Sequence, residues 1–192
     1  MARIDPPKTE EMTSEQVELR DLIAGQRSTG SARGPFGVLL HAPEIGRRVA
    51  DFVDHLLLDT RLSHRLKELA IITVARKYTA QYEWWIHARR AERFGLELEI
   101  IQAISERRSP EFKDPESMIV FEIAEKLSGD GRFSDELYST AEQRFGKPGI
   151  VELVALIGLY IMIAVFLNAF DVDVPDPDAE LLEESGNELT RL

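Results

Sequence analysis

The chain has 192 residues, no cysteine and a net charge of −11, with 44% hydrophobic and 30% charged residues. That balance suits one soluble globular domain with a substantial core. The absence of cysteine excludes disulfides, thiolate metal sites and thiol-based peroxidase chemistry. The acidity argues against nucleic acid or an anionic membrane as the main partner, because both need clustered Lys and Arg.

The opening "MARIDPPKTEEM" carries two prolines and no apolar run. It reads as an N-terminal arm over residues 1–12, not a secretory signal, and a cytoplasmic location is expected. Thr13 with Gln16 forms a capping-box pattern, and Gly25 closes that first helix. Residues 28–37, "STGSARGPFG", read as a Gly- and Ser-rich loop. Pro43 opens a helix with Ile45, Val49, Phe52, Val53 and Leu56 at helical spacing. Ser63 caps the next helix, whose stripe is Leu66, Leu69, Ala70, Thr73 and Val74.

A break at Tyr78-Thr79 separates it from a helix carrying Glu83 and His87 and ending at Gly95. A short helix follows Glu97, and Asp114-Pro115 opens another with Met118, Phe121, Ile123 and Leu127. Ser134 caps a helix that stops at Gly146, and Pro148 opens a long apolar one. Its run Leu153 to Leu167 is shorter than the 18 or so residues of a membrane span, and Glu152 and Asn168 bracket it. A bundle-centre helix is therefore expected. The segment 176–192 reads as a solvated acidic tail, with room for a short terminal helix. The fold expected is all-α, a single-domain bundle of about eight helices over residues 13–175.

Glu83 and His87 lie at i and i+4, on one helix face, flanked by Tyr82, Trp84 and Trp85. A carboxyl beside an imidazole in an apolar pocket is a tunable acid–base pair. On spacing alone the pair reads equally as an ordinary helix contact. Two ligands fall short of a zinc site, and His41, His55 and His64 have no ligand-like spacing to His87, so no metal and no cofactor is expected. Glu68 stands beside Leu69 at the edge of a core stripe, where a carboxylate needs a partner.

The stretch "RLKELAIITVARKYTAQYEWWIHARRAERFGL" resembles the carboxymuconolactone decarboxylase family, which shares its fold with the alkylhydroperoxidase D proteins. "RGPFGVLLHAPEIGRRV" is similar to that family's pocket loop and following helix, and "GIVELVALIGLYIMIAVFLNAFDV" to its C-terminal core helix. The peroxidase branch carries Glu, eleven residues, Cys, two residues, Cys, three residues, His. On this chain the Glu falls on Glu68 and the His on His87, while Ala80 and Glu83 stand at the two cysteine positions.

The resemblance implies a cysteine-free branch in which Glu68, Glu83 and His87 line one pocket and move protons. It implies a lyase of aromatic-compound catabolism acting on a small-molecule lactone or carboxylic acid, or a related cofactor-free isomerase or hydrolase. A ligand-binding or assembly protein without catalysis is the remaining alternative. Arg33 is expected to grip a substrate carboxylate. Phe36, Tyr82, Trp84 and Tyr160 are expected as further pocket residues. The family's assembly into oligomers implies a homodimer, trimer or hexamer.

Overall fold

The computed structural model describes residues 2–26 and 31–183. Among them there are eight α-helices and no strand: α1 Ser14–Gln26, α2 Pro35–Leu39, α3 Pro43–Leu58, α4 His64–Tyr78, α5 Gln81–Arg93, α6 Leu98–Ser105, α7 Pro115–Gly129 and α8 Asp135–Ala169. A single 3₁₀ turn, Thr9–Glu11, precedes α1.

The helix starts follow side-chain chemistry. At α1 the capping box closes in both directions, Thr13 N–H to Gln16 Oε1 at 2.9 Å and Gln16 N–H to Thr13 Oγ1 at 3.3 Å. Ser63, Asp114 and Ser134 each accept a backbone N–H from the first turn of the helix they cap. The expected loop over residues 28–37 is shorter than the sequence suggested. Pro35 begins α2, because its fixed φ and missing N–H suit the first helical position. Residues 27–30 lie outside the described part.

The core is a pillar of α4 packed against α7 and α8. Leu69, Ile72, Val74, Ile123, Leu153 and Ile157 are buried in it. α8 bends at Gly146 (φ 67°, ψ 168°), with Pro148 in the turn that restarts the helix, so the break expected there falls inside one 35-residue element. By length and composition α8 could cross a membrane, yet half of its most apolar window is buried against the other helices. Glu152, just before the apolar run of α8, pairs with Arg61, and Asn168, just after it, donates to the Tyr78 carbonyl at 2.8 Å.

The segment after α8 is less solvated than its composition implied. Gln81 bonds both the N–H and the C=O of Leu182, at 2.8 and 2.9 Å, and Arg76 donates to the Glu183 carbonyl at 3.0 Å. The Leu182 side chain is buried. One buried apolar residue and these side-chain-to-backbone bonds tie down Leu182 and Glu183 despite the acidic composition. The terminal helix suggested for the tail concerns residues 184–192, outside the described part.

Candidate active site

Two helices meeting at a sharp elbow bring the charged residues together. α4 ends at Thr79, which is left-handed (φ 49°, ψ 41°), and α5 starts after Ala80. The chain therefore doubles back, and Glu68 on α4 faces His87 on α5. Nδ1 of His87 is 2.6 Å from Oε2 of Glu68, a charge-assisted hydrogen bond in a buried setting. With the Nδ1 proton directed at the carboxylate, Nε2 is the nitrogen left to act on a ligand. Arg90 Nε lies 2.8 Å from the other oxygen, Oε1. Its N–H points off that oxygen, so the contact is a charge pairing and not a hydrogen bond.

Glu83 is treated differently. It is 2% exposed, and neither carboxyl oxygen has a hydrogen-bond partner. Burial pushes its carboxyl well above the usual carboxylate range, with no opposing cation to hold it down.

A cavity of about 450 Å³ opens in front of these groups, between α2, α3, α5 and α8. That volume suits a small organic ligand. Glu83, His87 and Arg90 lie along one wall, and Glu68 stands behind His87 without lining the space. Tyr160 meets the His87 ring edge-on, with centroids 5.0 Å apart and planes at 84°. Most of the remaining wall is aliphatic, including Val53, Leu57, Ile163 and Leu167.

Of the residues expected from sequence, Arg33, Phe36, Tyr82 and Tyr160 border this cavity. Arg33 is at the exposed rim. Burial raises the Tyr82 phenol, and Arg33 nearby partly offsets that. Gly34 (φ 59°, ψ −131°) carries the loop over Tyr82, and a Cβ there would overlap the Tyr82 ring. Trp84 does not face the cavity. It is buried in the core, on the same side of α5 as Ala80 and Ala91.

Trp85 lines the cavity instead. It is stacked under Arg89, whose guanidinium carbon is 4.6 Å from the ring, and Arg89 in turn pairs with Asp176 at 3.0 Å. Arg90 escaped the sequence reading as well. The signal was available: residues 83, 87 and 90 follow an i, i+4, i+7 stripe. Among the described residues no cluster of three or more His, Asp or Glu is arranged to hold a metal.

No protein-family model matches this sequence, and no curated protein matches it. Solved structures do. An uncharacterized peroxidase-related protein described as an alkylhydroperoxidase AhpD core, from Ralstonia eutropha JMP134, superposes with a TM-score of 0.75 at 12% identity, over 91% of this chain and 93% of that one. This is the AhpD-like fold. A second uncharacterized peroxidase-related protein, from Silicibacter sp. TM1040, matches with a TM-score of 0.73 at 13% identity, covering 90% and 91% of the two chains. The debrominase Bmp8, solved as a cysteine-to-alanine variant with 2,3,4-tribromopyrrole, matches with a TM-score of 0.70 at 12% identity, covering 89% and 90%. At these identities the AhpD-like likeness is one of fold. The narrower link to carboxymuconolactone decarboxylases rests on the sequence resemblance alone.

Proposed function

We propose that this cavity performs cofactor-independent acid–base chemistry on a small lactone or carboxylic acid, either decarboxylation or a related proton transfer. The carrying observation is the Glu68–His87 hydrogen bond of 2.6 Å at the cavity wall. A buried carboxylate fixes the imidazole's orientation and tautomer, and the opposite nitrogen is left to take or give a proton. Glu83 supplies a second titratable group on the same wall. A chain without cysteine has no thiol for a peroxidase cycle.

In this reading Arg33 at the rim meets a substrate carboxylate, and Phe36, Tyr82, Trp85 and Tyr160 enclose the ring. A fold neighbour crystallised with a single-ring heteroaromatic, 2,3,4-tribromopyrrole, supports a ligand of this scale.

The test is proton exchange. A panel of small lactones and carbonyl acids is incubated with the protein in heavy water, and loss of carbon-bound protons is followed by NMR. Exchange or turnover that disappears in His87→Ala, with the helical spectrum retained, is the expected result. Absence of exchange across the panel, or equal rates in His87→Ala, overturns the reading and favours a non-catalytic binding protein.

We also infer a cytoplasmic homo-oligomer. Val151, Val154 and Val165 form an exposed apolar stripe on the outer side of α8, a surface suited to another copy of the chain. Sedimentation showing a monomer at micromolar concentration overturns that inference.

A further inference from the structure

Glu83 is the buried carboxyl that the fold leaves without a partner. Glu68, fifteen residues earlier, has His87 and Arg90. Glu83 has neither a donor nor a cation within reach among the described residues. Its place in the first turn of α5 gives an anion only modest stabilisation from the helix dipole. Burying an unpaired carboxylate costs more than that dipole returns. The proton therefore stays on, and the group is a hydrogen-bond donor without an acceptor.

The charges around the cavity point to what the acceptor is. Arg33 and Arg90 line it, but Asp54 lines it too, and Glu68 sits directly behind Arg90 and His87. The cations are offset, and apart from His87 and Arg90 on the Glu83 wall most of the lining is aliphatic or aromatic. Such a lining favours a largely apolar molecule with one polar oxygen over a polyanion. The two Glu83 oxygens are closed to solvent at rest, so a ligand oxygen meets them on a side-chain rotation toward the cavity.

We propose that Glu83 acts as a neutral carboxylic acid donating its O–H to the oxygen of an enolate, while His87 Nε2 moves the proton on carbon. The substrate class is then a small cyclic ketone or lactone with an acidic C–H beside its carbonyl or conjugated to it. His87 Nε2 takes that proton, the C–H electron pair becomes the new carbon–carbon double bond, and the carbonyl π pair moves onto the oxygen held by Glu83. His87 returns its proton to the same carbon or to the far end of the conjugated system. Nothing is oxidised or reduced and no co-reactant is consumed. A charge developing against a preorganised donor in a dry site is where such a group has most effect. This deepens the acid–base reading above and rests on it.

Infrared difference spectroscopy tests the assignment without a substrate. At neutral pH the wild-type protein is expected to show the C=O stretch of a protonated carboxylic acid, absent in Glu83→Gln. Adding 4-nitrophenol, a flat mimic of an enolate oxygen, is expected to shift that band to lower frequency. Its affinity should fall about 10- to 100-fold in Glu83→Leu and less in Glu83→Gln, which keeps a donor. A spectrum without the protonated band overturns the proposal, as does a bound nitrophenol that leaves the band unmoved. Failure of nitrophenol to bind at millimolar concentration overturns the ligand class. His87-dependent exchange alongside a missing Glu83 band would sink this inference and leave the acid–base reading standing. A Glu83 band with no exchange on any panel member would overturn the acid–base reading and the enolate role with it, leaving Glu83 only as a neutral donor to a bound oxygen.

Discussion

The α4–α7–α8 pillar and the cleft between α3, α5 and α8 handle buried polar groups in opposite ways. In the pillar, Thr73 bonds back to the Leu69 carbonyl at 2.8 Å. At its base Arg65 gathers Ser117, Glu97 and Asp114 at 2.7, 2.8 and 3.3 Å. Lys67, buried to 2% exposure, still finds the Leu57 carbonyl at 2.8 Å. These groups are bonded and fix how the helices meet; only at the far end of the pillar do buried atoms, Arg76 Nε and Ser128 Oγ, go without a hydrogen bond among the described residues. In the cleft, the Glu83 carboxyl has no such closure, and a cavity takes the place of packed side chains. Satisfied polar groups are architecture, while unsatisfied ones beside a void are chemistry waiting for a ligand.

The sharpest way to break that contrast is His87→Ala. Activity is expected to fall about 100- to 10,000-fold, the usual reach of a general acid or base, and the melting temperature to drop because Glu68 loses its hydrogen-bond donor. Adding Glu68→Gln to His87→Ala should recover the stability and leave the activity lost; recovery of activity with stability would place His87 with the pillar. Next comes Leu69→Ala, fully buried in the pillar, expected to cost about 2–5 kcal/mol in urea denaturation. Its counterpart in the cleft, Leu58→Ala, removes a side chain that is 68% exposed and should stay within about 0.5 kcal/mol.

Gly34→Ala is intermediate. A residue with a Cβ at φ 59°, ψ −131° is strained by about 1–3 kcal/mol, and it must displace the Tyr82 ring, so ligand affinity should drop with stability.

Glu83→Gln has the opposite sign. The unfolded chain releases the Glu83 proton in the ordinary carboxylate range, whereas the fold retains it to higher pH. Stability from the neutral form is therefore complete below that range and is lost as pH rises through the folded value. Thermal melts from pH 5 to pH 8 should show wild type declining relative to Glu83→Gln. Parallel curves would mean the carboxyl is ionised or solvated.

The smallest effect expected is from Asp176→Ala. It releases Arg89 and the Trp85 indole without altering the melting temperature, and shows as a shift in tryptophan emission on ligand binding.

Much of the architecture was legible in the sequence because it is written in local signals. Thr13, Ser63, Asp114 and Ser134 mark helix starts by their own side-chain bonds, and Gly146 and Pro148 mark the bend. The face shared by Glu83 and His87 follows from helical spacing, and the approach of His87 to Glu68 came from the family resemblance; that Glu68 stands behind His87 and does not line the cavity with Glu83 did not. What stayed hidden depends on partners far along the chain. Trp84 and Trp85 are neighbours with the same chemistry, and only the position of α4 decides which one packs in the core. Arg90 looks like any surface cation until Glu68 lies 2.8 Å away. The aliphatic wall from α3 and α8 is composed of the same residue types as the core and has no signature of its own. The docking of Leu182 against Gln81 joins residues 101 apart in an acidic segment that reads as solvated.

The elbow at Thr79 has a consequence for length. Its hydroxyl accepts from Arg76 at 3.3 Å and Arg107 at 3.1 Å, and the adjoining Tyr78 carbonyl is held by Asn168. The elbow therefore fixes the phase of α5 relative to α4, as a keyed shaft fixes a wheel. One residue inserted there would turn α5 by ~100°, carrying His87 off Glu68 and bringing Trp84 toward the cavity. Between Glu68 and His87, residue identities can vary widely, but the count between them cannot.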